Sequence, residues 1–275
     1  MNSANRYIHC AEFSSSSTKT IIRTICLYYI ICALHRKILF ILVAGLITLI
    51  TKKTIYAMKF FIDTANLDQI REAYDMGVLD GVTTNPSLMA KEGIKGVENQ
   101  RKHYVEICDI VQGDVSAEVI ATDYEGMIKE GEELAALNPH IVVKVPCIAE
   151  GIKAIKYFTS KGIRTNCTLV FSVGQALLAA KAGATYVSPF VGRLDDLCED
   201  GIALVGKIVE MYRYYGYTTQ VLAASIRSTA HIVQCIEVGS DVATCPLSAI
   251  KGLLNHPLTD SGLKKFLGDY KRVNG

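Results

Sequence analysis

Along residues 58–275, eight short apolar runs alternate with amphipathic stretches, and a helical pattern separates each run from the next. The runs are 59–63, 81–84, 115–120, 141–145, 164–169, 184–190, 219–224 and 240–244. Between them lie periodic stretches near 67–77, 97–112, 124–136, 150–161, 173–182, 199–215 and 228–238. Neighbouring antiparallel strands need only a tight turn, whereas parallel strands need a long crossover, usually a helix. Regular alternation of this kind predicts a parallel α/β sheet. Eight strand–helix units favour the closed TIM (β/α)8 barrel over an open doubly wound sheet. A last helix is expected over 259–273, with Leu263, Phe266 and Leu267 on one face, able to dock on the barrel or on a neighbouring subunit. No GxGxxG or GxxxxGK[ST] follows any strand, so neither a dinucleotide fold nor a P-loop has a motif behind it.

The formal charge of +2 hides an uneven distribution. Of the chain's 29 Lys and Arg residues, seven (Arg6, Lys19, Arg23, Arg36, Lys37, Lys52, Lys53) fall in 1–57, against one acid, Glu12, of 27. Residues 58–275 therefore carry 22 bases and 26 acids, a net −4, which speaks against nucleic-acid binding. Residues 1–57 also hold a serine run, 14–17, and an apolar block, 38–50, behind Arg36-Lys37. That block is short of the roughly 20 residues a membrane span needs. Three readings stay open for this extension: a membrane anchor, an unusual signal peptide, or upstream sequence with initiation at Met58. The expectation is initiation at Met58, because Met58-Lys-Phe-Phe-Ile-Asp opens directly as a strand. Membrane contact is expected only if residues 1–57 are retained. The nine cysteines form no CxxC pair, which fits reduced intracellular thiols. His103, His140, His231 and His256 show no metal-ligand spacing, and no metal is expected.

Residues 141–146, Ile-Val-Val-Lys-Val-Pro, set Lys144 within an apolar strand. Strands of parallel sheets are buried on both faces, and desolvation favours the neutral amine of a lysine. A neutral amine attacks carbonyl carbons and can form a Schiff base. A lysine that snorkels to solvent or pairs with a carboxylate fits the same pattern.

Catalytic groups of such barrels stand at the C-terminal ends of the strands. There the sequence places Asp63, Asn85, Glu118, Lys144, Asn166, Thr168, Ser188, Ser225 and Arg227. Asn166/Thr168, Ser188/Phe190 and Ser225/Arg227 are each two residues apart, so each pair shares a side of an extended chain. Asp63 also reads as a helix cap, but Asn66 with Gln69 supplies a capping box of its own. Asn85-Pro86 also reads as an ordinary strand-to-turn exit. Glu118 also reads as an ion-pair partner of Lys144, the lesser of its two readings. Arg193 and Arg227 fall in loops after strands, where an arginine fork can hold a phosphate.

Six segments, Phe-Ile-Asp-Thr-Ala-Asn (61–66), Gly-Val-Thr-Thr-Asn-Pro-Ser (81–87), Val-Val-Lys-Val-Pro (142–146), Asn-Cys-Thr-Leu-Val-Phe-Ser (166–172), Ser-Pro-Phe-Val-Gly-Arg (188–193) and Ala-Ala-Ser-Ile-Arg (223–227), resemble the transaldolase family. The likeness is to its short-chain group, which includes the fructose-6-phosphate aldolases. It spans 58–275 in order, and residues 1–57 have no counterpart in it.

The resemblance implies a cofactor-free class I aldol mechanism on a TIM barrel, with sugar phosphates as substrates. It assigns the Schiff base to Lys144 and proton abstraction to Asp63. Glu118, with a water held by Thr168, would shuttle protons. Asn85, Asn166 and Ser188 would hold the dihydroxyacetone unit, and Arg193, Ser225 and Arg227 the phosphate. Glu118 and Phe190 resemble the transaldolase branch, where the aldolase branch typically has glutamine and tyrosine. Transfer to an aldose phosphate is therefore expected, with fructose-6-phosphate cleavage to free dihydroxyacetone as the alternative. A cytoplasmic homo-oligomer, a pentamer or decamer, is implied as well.

Overall fold

The computed structural model describes residues 57–274, so the readings made for the N-terminal extension fall almost entirely outside the described residues. Eight parallel strands close a barrel in chain order: β1 (Lys59–Asp63), β2 (Gly81–Thr83), β3 (Asp114–Glu118), β4 (Ile141–Pro146), β5 (Thr165–Val170), β6 (Tyr186–Pro189), β7 (Gln220–Ala223) and β8 (Val242–Cys245), with β8 pairing back to β1. The architecture is the expected (β/α)8 barrel. The long crossovers are α1 (Leu67–Asp75), α3 (Val97–Val111), α4 (Tyr124–Ala135), α5 (Ala149–Ser160), α6 (Val173–Ala182), α8 (Gly201–Tyr215) and α9 (Thr229–Glu237). Three short helices were not foreseen: α2 (Pro86–Lys91), α7 (Val191–Asp195) and α10 (Leu247–Gly252). Each starts within three residues of a strand end and shapes the C-terminal rim. No helix among the described residues is long and apolar enough to cross a membrane.

Period-2 alternation sorts every strand into two faces. Outward residues such as Ile62, Val82, Val115, Val143, Val145 and Val187 pack under the helix ring. Inward residues fill the barrel, where Phe61, Val142, Tyr186, Leu222 and Val242 form a separate apolar plug. Gly81 makes room for that plug, because a Cβ there would lie 2.6 Å from the Phe61 ring. The N-terminal end is sealed by polar side chains. Lys59 Nζ donates to Gln220 Oε1 at 3.2 Å, Tyr186 Oη donates to Asp114 at 2.7 Å, and Arg164 pairs with Asp114. The apolar plug leaves one accessible end of the barrel, and the inward polar residues gather there.

Helix α11 (Pro257–Asn274) follows the barrel, as expected. Its Leu263, Phe266 and Leu267 are exposed, and no residue of the helix is buried among the described residues.

Candidate active site

Strand register builds the centre of the site. Glu118, Lys144 and Asn166 are Cα partners across β3, β4 and β5, so all three project inward at one level. Lys144 is only 5% exposed. Its Nζ lies 3.1 Å from Glu118 Oε2 and donates to the Thr84 carbonyl at 3.0 Å. A buried ammonium demands such partners, so the pairing with a carboxylate left open above is realised.

Asp63 ends β1 opposite its register partner Thr83. The Thr83 hydroxyl donates to Asp63 Oδ1 at 2.7 Å and lies 2.6 Å from the Thr244 hydroxyl. Burial pushes the Asp63 carboxyl above its ordinary range, while Lys144 and the Thr83 hydrogen bond pull it down. Helix α1 takes its cap from Asn66, whose Oδ1 accepts from the Gln69 N–H at 3.0 Å, so Asp63 is not spent on capping. The reciprocal half of the expected box differs. The Asn66 N–H is satisfied by the Thr64 hydroxyl at 3.1 Å, and Gln69 Oε1 accepts from Thr64 instead.

Asn166 is fully buried and fixed on both sides. Its Nδ2 donates to Ser116 Oγ at 3.1 Å, and Ser188 Oγ donates to its Oδ1 at 2.8 Å. Thr168, 1% exposed, has a buried hydroxyl with no hydrogen-bond partner among the described residues. Buried hydroxyls are seldom left so unless a water or ligand serves them. Beyond it, Leu169 takes a left-handed φ of 59°, and the β5–β6 register shifts between Cys167 and Val170. Irregularities of this kind recur beside active sites, where they re-aim side chains.

The rim departs from the expectations in three places. Asn85 is not a turn exit but the N-cap of α2, its Oδ1 accepting from the Leu88 N–H at 2.9 Å. Its Nδ2 remains for a ligand, and Asn85 does line the cavity. Arg193 lies on helix α7 rather than in a loop, with its guanidinium 5.8 Å from the Phe190 ring centroid. Ser225 has φ 58°, so the chain is not extended there and Ser225 and Arg227 do not share a side. Ser225 faces the cavity, while Arg227 lies outside its wall and forks onto Asp196 at 2.5 and 2.6 Å. That fork holds the Asp196 carboxyl below its ordinary range. Gly192 permits this packing, since a Cβ on it would meet Arg227 Nε at 2.6 Å.

The cavity so formed has a volume of about 130 Å³ and contains Asp63, Asn85, Lys144, Ser188, Phe190, Arg193 and Ser225 of the expected residues. Glu118 and Asn166 stand behind its wall, in contact with Lys144 and Ser188, and Thr168 lies two residues beyond Asn166 on β5. A larger hollow of about 330 Å³ between α3 and α4 reaches the site only at Glu118. Thr83, Thr84, Ser116 and Thr244 were not foreseen as members of the site. For Thr83, Ser116 and Thr244 the signal is the inward alternation of their strands, Gly81/Thr83, Ser116/Glu118 and Val242/Thr244, which becomes readable only once register is known. Thr84 enters through its backbone carbonyl, which side-chain patterning does not reveal. An inward amine, two carboxyls and a rim arginine around one small cavity can form an imine, move protons beside it and hold an anion.

Residues 60–274 match the model of the Transaldolase/Fructose-6-phosphate aldolase family. Over 218 residues the chain is 87% identical to a probable transaldolase of Bacteroides thetaiotaomicron, covering 79% of this chain and 100% of that protein. A probable transaldolase of Parabacteroides distasonis is 86% identical over 218 residues, again 79% of this chain and 100% of the relative. One of Porphyromonas gingivalis is 79% identical over 217 residues, 79% of this chain and 99% of the relative. With the barrel and the Lys144 site, these matches make the chain an enzyme of the transaldolase/fructose-6-phosphate aldolase family.

Proposed function

We propose that the protein is a transaldolase, moving a dihydroxyacetone unit from a ketose phosphate such as fructose 6-phosphate or sedoheptulose 7-phosphate to an aldose phosphate. The observation that carries this reading is Lys144, a buried amine 3.1 Å from Glu118 in a cavity it shares with Asp63. In its neutral form Lys144 adds to the C2 carbonyl. Glu118, with a water held at the Thr168 hydroxyl, moves the protons that turn the carbinolamine into an iminium and release water. Asp63 takes the C4 hydroxyl proton, C3–C4 breaks, the aldose phosphate leaves, and the bonding electrons rest in an enamine. An acceptor aldehyde then forms the new bond, and its oxygen takes the proton back from Asp63. Hydrolysis of the imine frees the product ketose. The iminium is the electron sink, so the chemistry needs no cofactor.

Asn85, Asn166 and Ser188 orient the donor, and Arg193, Ser225 and Arg227 receive the phosphate. Phe190 favours transfer over cleavage, because a phenyl ring offers the enamine no proton. The test is kinetic. Fructose 6-phosphate alone should release little dihydroxyacetone, and added erythrose 4-phosphate should start steady formation of glyceraldehyde 3-phosphate and sedoheptulose 7-phosphate. Sustained cleavage without acceptor would overturn the transferase reading.

Residues 58–275 form the catalytic domain in this reading, working in the cytoplasm on the non-oxidative pentose phosphate pathway. The exposed Leu263, Phe266 and Leu267 of α11 support subunit contact, and the full-length match of the relatives to 218 residues supports initiation at Met58. Aggregation of a chain begun at Met58 would contradict the latter.

A further inference from the structure

Asp63 is flanked by β2 and β8, the two strands that pair with β1. Thr83 on β2 is the register partner of Asp63, and Thr244 on β8 is the partner of Phe61 one inward position below. Both threonines are 2% exposed and both line the cavity. Their hydroxyl oxygens meet at 2.6 Å, and Thr83 Oγ1 is 2.7 Å from Asp63 Oδ1.

Each hydroxyl owns a single hydrogen. An ionised Asp63 can only accept, so the Thr83 proton goes to Oδ1. The Thr244 proton must then point at Thr83, and the chain runs one way, from Thr244 through Thr83 to Asp63. With Oδ1 occupied, Oδ2 is the oxygen left to exchange a proton with a substrate hydroxyl. The chain survives that exchange unchanged.

We propose that Thr83, supported by Thr244, is a positioning residue that fixes Asp63 Oδ2 as the proton-exchanging atom and keeps the carboxyl ionised between turnovers. This rests on the transaldolase reading given above. The other charged or titratable groups facing Asp63 among the described residues are Lys144 from β4 with Glu118 behind it and Arg193 from α7, and the Cys245 thiol on the outward face of β8 lies near enough to feel its charge. None is altered by removing a threonine hydroxyl.

Thr83→Val keeps the shape and deletes one hydrogen bond to a carboxylate. The acid limb of the kcat/KM–pH profile should move up by about one to two pH units. Thr244→Val should move it the same way by less, and Thr83→Ser should restore it. In protein carrying 13C-labelled aspartate carboxyls, the Asp63 signal, identified by its loss in Asp63→Asn, should titrate with the same shifts. A kcat loss uniform across pH with an unmoved carboxyl titration would overturn the proposal. If Thr83→Val does not fold, an unmoved titration in Thr244→Val overturns it. Absence of transfer by the unmodified enzyme would strike the transaldolase reading alone, because the carboxyl titration still reports the hydrogen-bond chain.

Discussion

Glu118 and Lys144 are partners in the β3–β4 register, and their side chains meet 3.1 Å apart inside the barrel. A slip of one residue in either strand would turn one of them into the apolar layer under the helices. The pair therefore depends on register, which the packing of Val115, Val143 and Val145 enforces. Pairing and catalysis do not compete here. In the proposed mechanism the carboxylate that compensates the ammonium also receives its proton when the amine becomes a nucleophile.

Asp63 bears the cost of its position. Its folded carboxyl sits above the ordinary value of 3.8, with burial outweighing Lys144 and Thr83. A group raised on folding contributes stability below its unfolded pKa, and that contribution is lost as pH rises through the folded value. At neutral pH the ionised group is a burden. Asp63→Asn should abolish transfer yet raise Tm at neutral pH, and the gain should shrink as pH falls toward 3.8. Melting curves across pH check this, and a lower Tm at neutral pH would contradict it.

Phe190 should hold the enamine for transfer. Phe190→Tyr, alone or with Glu118→Gln, should raise dihydroxyacetone release and lower transfer. A tenfold change in that partition needs only about 1.4 kcal/mol, within reach of one added hydrogen bond. Product analysis with and without acceptor decides it, and an unchanged partition in the double variant would sink the role given to position 190.

Arg193 and Arg227 should act on the phosphate rather than on the fold. Arg193→Ala and Arg227→Ala should each raise KM for fructose 6-phosphate on the order of ten- to a hundredfold, as expected for a lost charge-assisted hydrogen bond. Reaction with the unphosphorylated ketose should change little. Arg227 is exposed and already forked onto Asp196, so Asp196→Asn should lower that KM by freeing the guanidinium. Equal losses with both ketoses would show that these arginines serve something other than phosphate.

The barrel was legible because its signal is long and repeated: eight strands separated by helices leave few alternatives. Lys144 was legible as a charge in an apolar strand. The helices Pro86–Lys91, Val191–Asp195 and Leu247–Gly252 were not, because five or six residues are too few for a 3.6-residue period to declare itself. Side-chain partnership was hidden for a different reason. The Thr83–Asp63, Asn166–Ser116 and Arg227–Asp196 contacts join residues 20, 50 and 31 positions apart, and only the closed barrel brings them together. The left-handed turn at Ser225 defeated strand alternation, which presumes an extended chain.

Lys144 itself carries the whole account. Borohydride reduction in the presence of fructose 6-phosphate, followed by peptide mapping, should place a single reduced adduct on Lys144. Lys144→Arg, which keeps the charge but cannot form the imine, should give neither adduct nor transfer. An adduct on another lysine, or an active Lys144→Arg enzyme, would contradict the account at its centre.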